Sequence, residues 1–127
     1  MRALSSHRKI QTPPFLEVKP STIPNAGRGL FTKVPLKKGT VWGDYTVGTE
    51  KLTRQEFLAR YPSGRATHVA LVRGHYYDAT RSFVGMANRK PGKNNSRIKE
   101  TGSMVTTKNV PAGGELLIPY GSGFKIP

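Results

Sequence analysis

Asn25-Ala26-Gly27-Arg28-Gly29-Leu30-Phe31 is the stretch from which the rest of the chain can be read. Two glycines flank an arginine and two large apolar residues follow, so a tight turn feeds an extended segment over 29–34. Glycine at both places removes the Cβ atoms that would hold another backbone or a ligand at a distance. Taken alone, the pattern reads equally well as an ordinary β-turn between two strands. It is not the Gly-x-Gly-x-x-Gly of a dinucleotide fold. Gly92-Lys93 lacks both the upstream Gly and the following Ser or Thr of a phosphate loop, so nucleotide hydrolysis is set aside.

Outward from that turn, further short extended pieces are expected at 15–19, 40–47, 69–72, 75–78, 104–108 and 116–119. Each is rich in β-branched or aromatic residues and is punctuated by Pro, Gly or Asn. Arg73-Gly74 between two of them predicts a hairpin. The 14 Gly and 10 Pro follow no repeat period, which means many turns and neither collagen nor a linker array. One helix is marked. Thr53 and Glu56 form a capping box, Leu52 can pack on Phe57 as a staple, and Pro62-Ser63-Gly64 stops the helix near Arg60. Phe57 and Leu58 are expected to face the core, with Arg54 and Arg60 in water.

At 127 residues the chain has length for one small domain, and a hydrophobic fraction of 35% allows only a thin core. Residues 1–14, with Arg2, Arg8, Lys9 and the pair Pro13 and Pro14, read as a basic tail; residues 15–127 form the domain. Lys and Arg number 21 against 7 Asp and Glu, a net charge of +14 that predicts affinity for polyanions. Without cysteine there are no disulfides, thiolate metal sites or Cys nucleophiles. His7, His68 and His75 have no clustered carboxylates to complete a metal site. No apolar run approaches the ~20 residues that cross a bilayer, and 1–6 lacks a signal-peptide core.

The turn at 25–31 is the first of four ordered segments. The others are Gly43-Asp44-Tyr45, then Asp78-Ala79 followed by Asn88, then Gly114-Glu115-Leu116-Leu117-Ile118-Pro119-Tyr120-Gly121. Together, in order and spacing, they resemble the SET domain of S-adenosylmethionine-dependent protein lysine methyltransferases. The likeness runs over about 16–124 and is to the minimal, cysteine-free SET proteins of some viruses and bacteria. It implies a mostly β, β-clip fold of small sheets with one short helix and a knot-like C-terminal crossing.

The resemblance also implies roles. Gly27, Arg28, Gly29 and Leu30 would form the turn that approaches S-adenosylmethionine. Tyr45 would line the channel for the target lysine, an apolar sleeve that grips the four-carbon stem and favours the neutral amine. Tyr120 would orient that amine and adjoin the cofactor, so that alignment and local dipoles supply the rate. Asn88 would hold the cofactor's amino-acid end, Arg89 would replace a family His through its main chain, and Asn94 or Asn95 would fill the second Asn position. Gly85 stands where relatives carry Arg. His68 would offer the cofactor a flat contact, or is an ordinary histidine satisfied by backbone. Phe124 would cover the lysine channel in place of a zinc-binding cap, or clasp the C-terminus.

The implied partner is a protein with a target lysine: a histone in a nucleosome, or another basic, nucleic-acid-associated protein. Asp44 and Glu115 are candidates to relieve the repulsion between two basic proteins. The resemblance admits a homodimer and an intracellular setting, with nucleus and cytoplasm both open, and no membrane. The rival reading is a degenerate SET domain, or a basic β module that binds nucleic acid or protein without catalysis.

Overall fold

The computed structural model describes residues 11–119. They form three antiparallel sheets of three strands each, with one α-helix and one 3-10 turn. The first sheet has the order β1 (Leu16–Pro20), β2 (Arg28–Thr32), β9 (Glu115–Leu116). The second runs β3 (Val41–Asp44), β8 (Ser103–Thr106), β7 (Ser96–Ile98). The third runs β4 (Glu50–Leu52), β6 (His75–Asp78), β5 (Val69–Val72), with α1 (Arg54–Arg60) beside it. The mostly β architecture with a single short helix is the one the sequence predicts.

Local chemistry explains several boundaries. The β5–β6 hairpin lies at the expected residues because Arg73 and Gly74 both take positive φ, 50° and 84°, whose twist matches that of the flanking strands. In α1 the Thr53 hydroxyl accepts from the Glu56 N–H at 3.1 Å while the Glu56 carboxylate accepts from the Thr53 N–H at 2.8 Å. Leu52 and Phe57 share a small core with Val69 and Tyr76, where Phe57 stacks on Tyr76 at 4.2 Å between ring centroids. Leu58 is a correction: it is 37% exposed, and Phe57 alone carries the buried face of this short helix.

The main core gathers Leu16, Leu30, Trp42, Tyr45, Val84, Met104, Leu116 and Ile118 from the first two sheets and the turns between them. Leu30 sits in register with both Val18 and Leu116, so β2 is the central strand that ties the early chain to the late chain. β4 and β7 were not expected. Two of the three residues of the first are charged, and the second lies in a stretch whose Asn, Lys and Gly read as loop.

Candidate functional site

The β1–β2 connection closes where the Ser21 N–H meets the Gly27 carbonyl at 2.8 Å, with Gly27 at φ 73°. Gly27 therefore makes the turn and faces open space, whereas Arg28, Gly29 and Leu30 already belong to β2. Their surroundings differ. The Arg28 side chain is exposed, and Leu30 is fully buried in the core. At Gly29 a Cβ would fall 2.3 Å from the Glu115 carboxylate. The room made there by glycine is filled by protein.

Asn88 closes the site from the other side of the chain. Its Nδ2 donates to the Arg28 carbonyl at 2.8 Å and reaches Glu115 Oε2 at 3.4 Å, while its own carbonyl accepts from the Ile118 N–H at 2.8 Å. Its Oδ1 takes part in none of these bonds. Seven residues on, Asn95 grips the same late segment: its Oδ1 accepts from the Leu117 N–H at 3.0 Å, its Nδ2 donates to the Glu115 carbonyl at 2.8 Å, and its N–H donates to the Leu117 carbonyl at 3.0 Å. The 88–95 loop thus closes on Leu117 from both ends, with 115–118 lodged between it and β2. This is the described part of the predicted crossing. Asn94 only braces the loop, accepting from the Lys90 N–H at 2.9 Å, so Asn95 is the second asparagine of the clasp. Arg89 and Lys90 are exposed beside it.

Glu115 is inaccessible as a relief charge. It is 8% exposed and accepts from Ser21 Oγ at 2.6 Å and from the Thr22 N–H and hydroxyl at 3.0 and 2.6 Å. Burial pushes its carboxyl up, but donors from Ser21, Thr22 and Asn88 outweigh this and hold it below the ordinary range. Asp44 is likewise engaged, with the Thr46 N–H and hydroxyl on Oδ1 at 2.7 and 2.6 Å.

Gly43 joins the second segment to the third, since a Cβ there would lie 2.8 Å from Val84 in the 3-10 turn Phe83–Met86. Tyr45 is 1% exposed within the main core; its N–H donates to Gly102 and its carbonyl accepts from the Thr49 hydroxyl. Gly85 has a local reason. A Cβ would fall 2.2 Å from the Ala79 carbonyl oxygen, so no side chain fits at this position. Gly85→Ala is expected to destabilise the fold by about 2–3 kcal/mol through forced backbone movement, as read by urea unfolding; a change within 0.5 kcal/mol would contradict that packing.

His68 is half-buried, and its carbonyl accepts from the Ala79 N–H at 2.7 Å. Burial lowers its pKa from the ordinary value, against the opposing pull of the Asp78 charge and the Gly85 main chain. Its Nδ1 is buried and has no hydrogen-bond partner among the described residues. Tyr120 and Phe124 lie outside the described residues.

A concavity of about 670 Å³ lies between β4, α1 and β6, lined by Gly48, Thr49, Glu50, Arg60, Tyr61, Asp78, Thr80 and Arg81. Three of its four charged groups bond to one another. Arg60 donates to Glu50 at 2.6 and 2.8 Å and to Asp78 at 3.2 Å, and the Tyr61 hydroxyl donates to Asp78 at 2.6 Å. Among the described residues no group of three His, Cys, Asp or Glu could hold a metal, and no helix is long and apolar enough to cross a membrane.

No protein-family model matches this chain, and no curated protein matches it in sequence. Solved structures do. A humanized mutant of the Chaetomium thermophilum Polycomb Repressive Complex 2 bound to the inhibitor GSK343 is similar with a TM-score of 0.71 at 20% identity, over 97% of this chain and 16% of that one. The same complex bound to GSK126 is similar with a TM-score of 0.70 at 19% identity, over 96% of this chain and 16% of that one. The fold is SET-like, and this chain matches about one sixth of the length of those proteins.

Proposed function

We propose that the chain transfers a methyl group from S-adenosylmethionine to the side-chain amine of a protein lysine. The observation that carries this reading is the convergence on Asn88: the turn entering β2, the 88–95 loop and the segment 115–118 meet within hydrogen-bonding distance of one side chain.

Those residues suit a zwitterionic amino-acid tail. Asn88 Oδ1 is an acceptor for an ammonium, the exposed Arg28 is a counter-charge for a carboxylate, and the turn at Gly27 lacks a side chain that would obstruct approach. The orphaned Nδ1 of His68 asks for a donor or acceptor that the described residues do not supply. When bound, the cofactor would supply an electrophilic methyl on a cationic sulfur.

In this reading Tyr45 walls the lysine stem, and the Tyr120 hydroxyl accepts a hydrogen bond from the amine, aiming its lone pair at the methyl. Phe124 shields the channel from water. No acid or base is required of the chain, because a nearby sulfonium already disfavours a protonated amine. The gain is alignment of the amine with the methyl.

The test is incubation with methyl-labelled cofactor and a panel of histones and other basic proteins, read by mass spectrometry of modified lysines. The wild type is expected to label lysine, and Tyr120→Phe to lose at least about 100-fold in rate while keeping its unfolding midpoint. Equal turnover by the variant, or failure to bind S-adenosylmethionine in calorimetry, would overturn the reading.

A further inference from the structure

We infer that one end of the β3-β8-β7 sheet is a docking surface for the phosphate backbone of duplex DNA. In this antiparallel sheet the start of β3, the end of β8 and the start of β7 lie together. Lys37 and Lys38 lead into β3, Lys108 follows β8, and Lys90 and Lys93 lie in the loop that enters β7. All five are exposed.

Main-chain and side-chain bonds fix these segments side by side. The Lys38 N–H donates to Asn109 Oδ1 at 2.8 Å, and the Thr106 hydroxyl donates to the Lys37 carbonyl at 2.8 Å. On the other flank the Thr107 N–H donates to the Asn95 carbonyl at 2.7 Å, and the Lys93 N–H turns back onto the Lys90 carbonyl at 2.8 Å. On the adjoining face the exposed Val41 and Arg97 share one cross-strand row with the half-buried Val105. The backbone width of three neighbouring strands is about 10 Å, and extended lysines widen it to a strip that can follow a phosphate strand.

The acidic residues lie elsewhere, and most are already bonded. Glu17 pairs with Lys19, Glu50 and Asp78 bond Arg60, Glu56 caps α1, and Glu115 and Asp44 are held as described. Glu100, the last of the 7, lies with Asp44 at the opposite end of this sheet. Among the described residues, only Lys19 and Arg60 of the basic side chains form ion pairs. The five lysines therefore repel one another with no internal counter-charge, a cost that a bound polyanion removes.

The occupant follows from what this end lacks among the described residues. Residues 84–119 contain no aromatic side chain, and Trp42 is turned into the core at 3% exposure. Single-strand readers need aromatic platforms for bases. Lysines without them suit the outside of a duplex, where phosphates are contacted and sequence is not read. The surface does not depend on methyl transfer and stands or falls separately from it.

The experiment is fluorescence anisotropy of a labelled 20-base-pair duplex with the full chain in KCl from about 50 to 300 mM. Lys37→Ala, Lys38→Ala and Lys108→Ala combined are expected to reduce the slope of log affinity against log salt by about 2.7, at about 0.9 per phosphate contact. Affinity at 100 mM should fall more than about tenfold. A control that removes the same charge elsewhere, Lys51→Ala, Arg54→Ala and Arg65→Ala, is expected to change the slope by less than about 1. Equal losses in both triple variants would mean diffuse charge and overturn the proposal. So would a single strand or polyglutamate of the same charge binding as tightly as the duplex. Thermal melting of each variant verifies that these exposed substitutions leave the fold in place.

Discussion

Glu115→Ala is expected to destabilise the protein by about 3–5 kcal/mol and to weaken S-adenosylmethionine binding at least about tenfold. The carboxylate joins residues 93 and 94 positions apart in sequence, taking Thr22 on one oxygen and Ser21 on the other. It also meets Asn88 Nδ2 and fills the space left by Gly29. Removing it leaves the Thr22 N–H and the Ser21 hydroxyl short of an acceptor, opens a void beside β2, and frees Asn88 from half of its anchorage. Both the 21–27 turn and the asparagine that would hold the cofactor are then loosened.

Glu115→Gln separates charge from shape. It keeps an acceptor for Thr22 but presents an NH₂ group where Ser21 and Asn88 now donate, so an intermediate loss of about 1–2 kcal/mol is expected. The pH dependence has a definite sign. Because the folded carboxyl is held below its ordinary 4.5, its contribution is complete above that value and disappears as pH falls through the folded pKa. The gap between wild type and Glu115→Ala should therefore narrow toward pH 3. Urea unfolding at pH 7 and pH 3, with calorimetry of cofactor binding, reads these effects; a loss under 1 kcal/mol at pH 7 would refute the anchoring role.

That anchor shows what sequence could and could not reveal. Elements set by neighbours in the chain were legible: the Arg73-Gly74 hairpin, the Thr53 cap and the apolar strands beside the turn at 25–31 all depend on contacts a few residues apart. Elements set by distant partners were not. In Glu50-Lys51-Leu52 two of three residues are charged, and they are extended only because Tyr76, Tyr77 and Asp78 offer a strand edge. Ser96-Arg97-Ile98 hides after a run of turn-forming residues and is a strand because it pairs with β8 and because Ser96 Oγ accepts from the buried Trp42 indole at 3.0 Å.

The site followed the same division. The four ordered segments could be named from their motifs, but Asn94 and Asn95 are the same residue type side by side. Only the register with Leu117 selects Asn95. Glu115 reads in sequence as a charge on offer to a partner, whereas folding turns it inward onto donors from the other end of the chain. Residue type announces chemistry; the direction of a side chain is decided by what packs against it.

Asp78→Ala should be as damaging as loss of Glu115, at about 3–5 kcal/mol, while Glu50→Ala in the same cluster should cost no more than about 1 kcal/mol. Asp78 is 5% exposed and fully subscribed, with the Thr80 N–H and hydroxyl on Oδ1 at 2.9 and 2.5 Å and Tyr61 and Arg60 on Oδ2. It pins the end of α1 to the end of β6. Burial alone would raise its carboxyl, yet the donors from Thr80, Tyr61 and Arg60 hold it below the ordinary 3.8, so its contribution is lost only as pH falls through that lower value. Glu50 bonds the same arginine, but its side chain is 59% exposed and water replaces what the bond supplies. The damage should also reach the candidate site, because the next residue, Ala79, donates to the His68 carbonyl and its own carbonyl is the floor against which Gly85 packs. Asp78→Asn, which keeps the shape and one acceptor, should fall between the two and shows whether charge or geometry dominates if the alanine variant does not fold. Equal losses for Asp78→Ala and Glu50→Ala in urea unfolding at pH 7 would mean that the cluster is a solvated ion pair and does not pin the helix to the sheet.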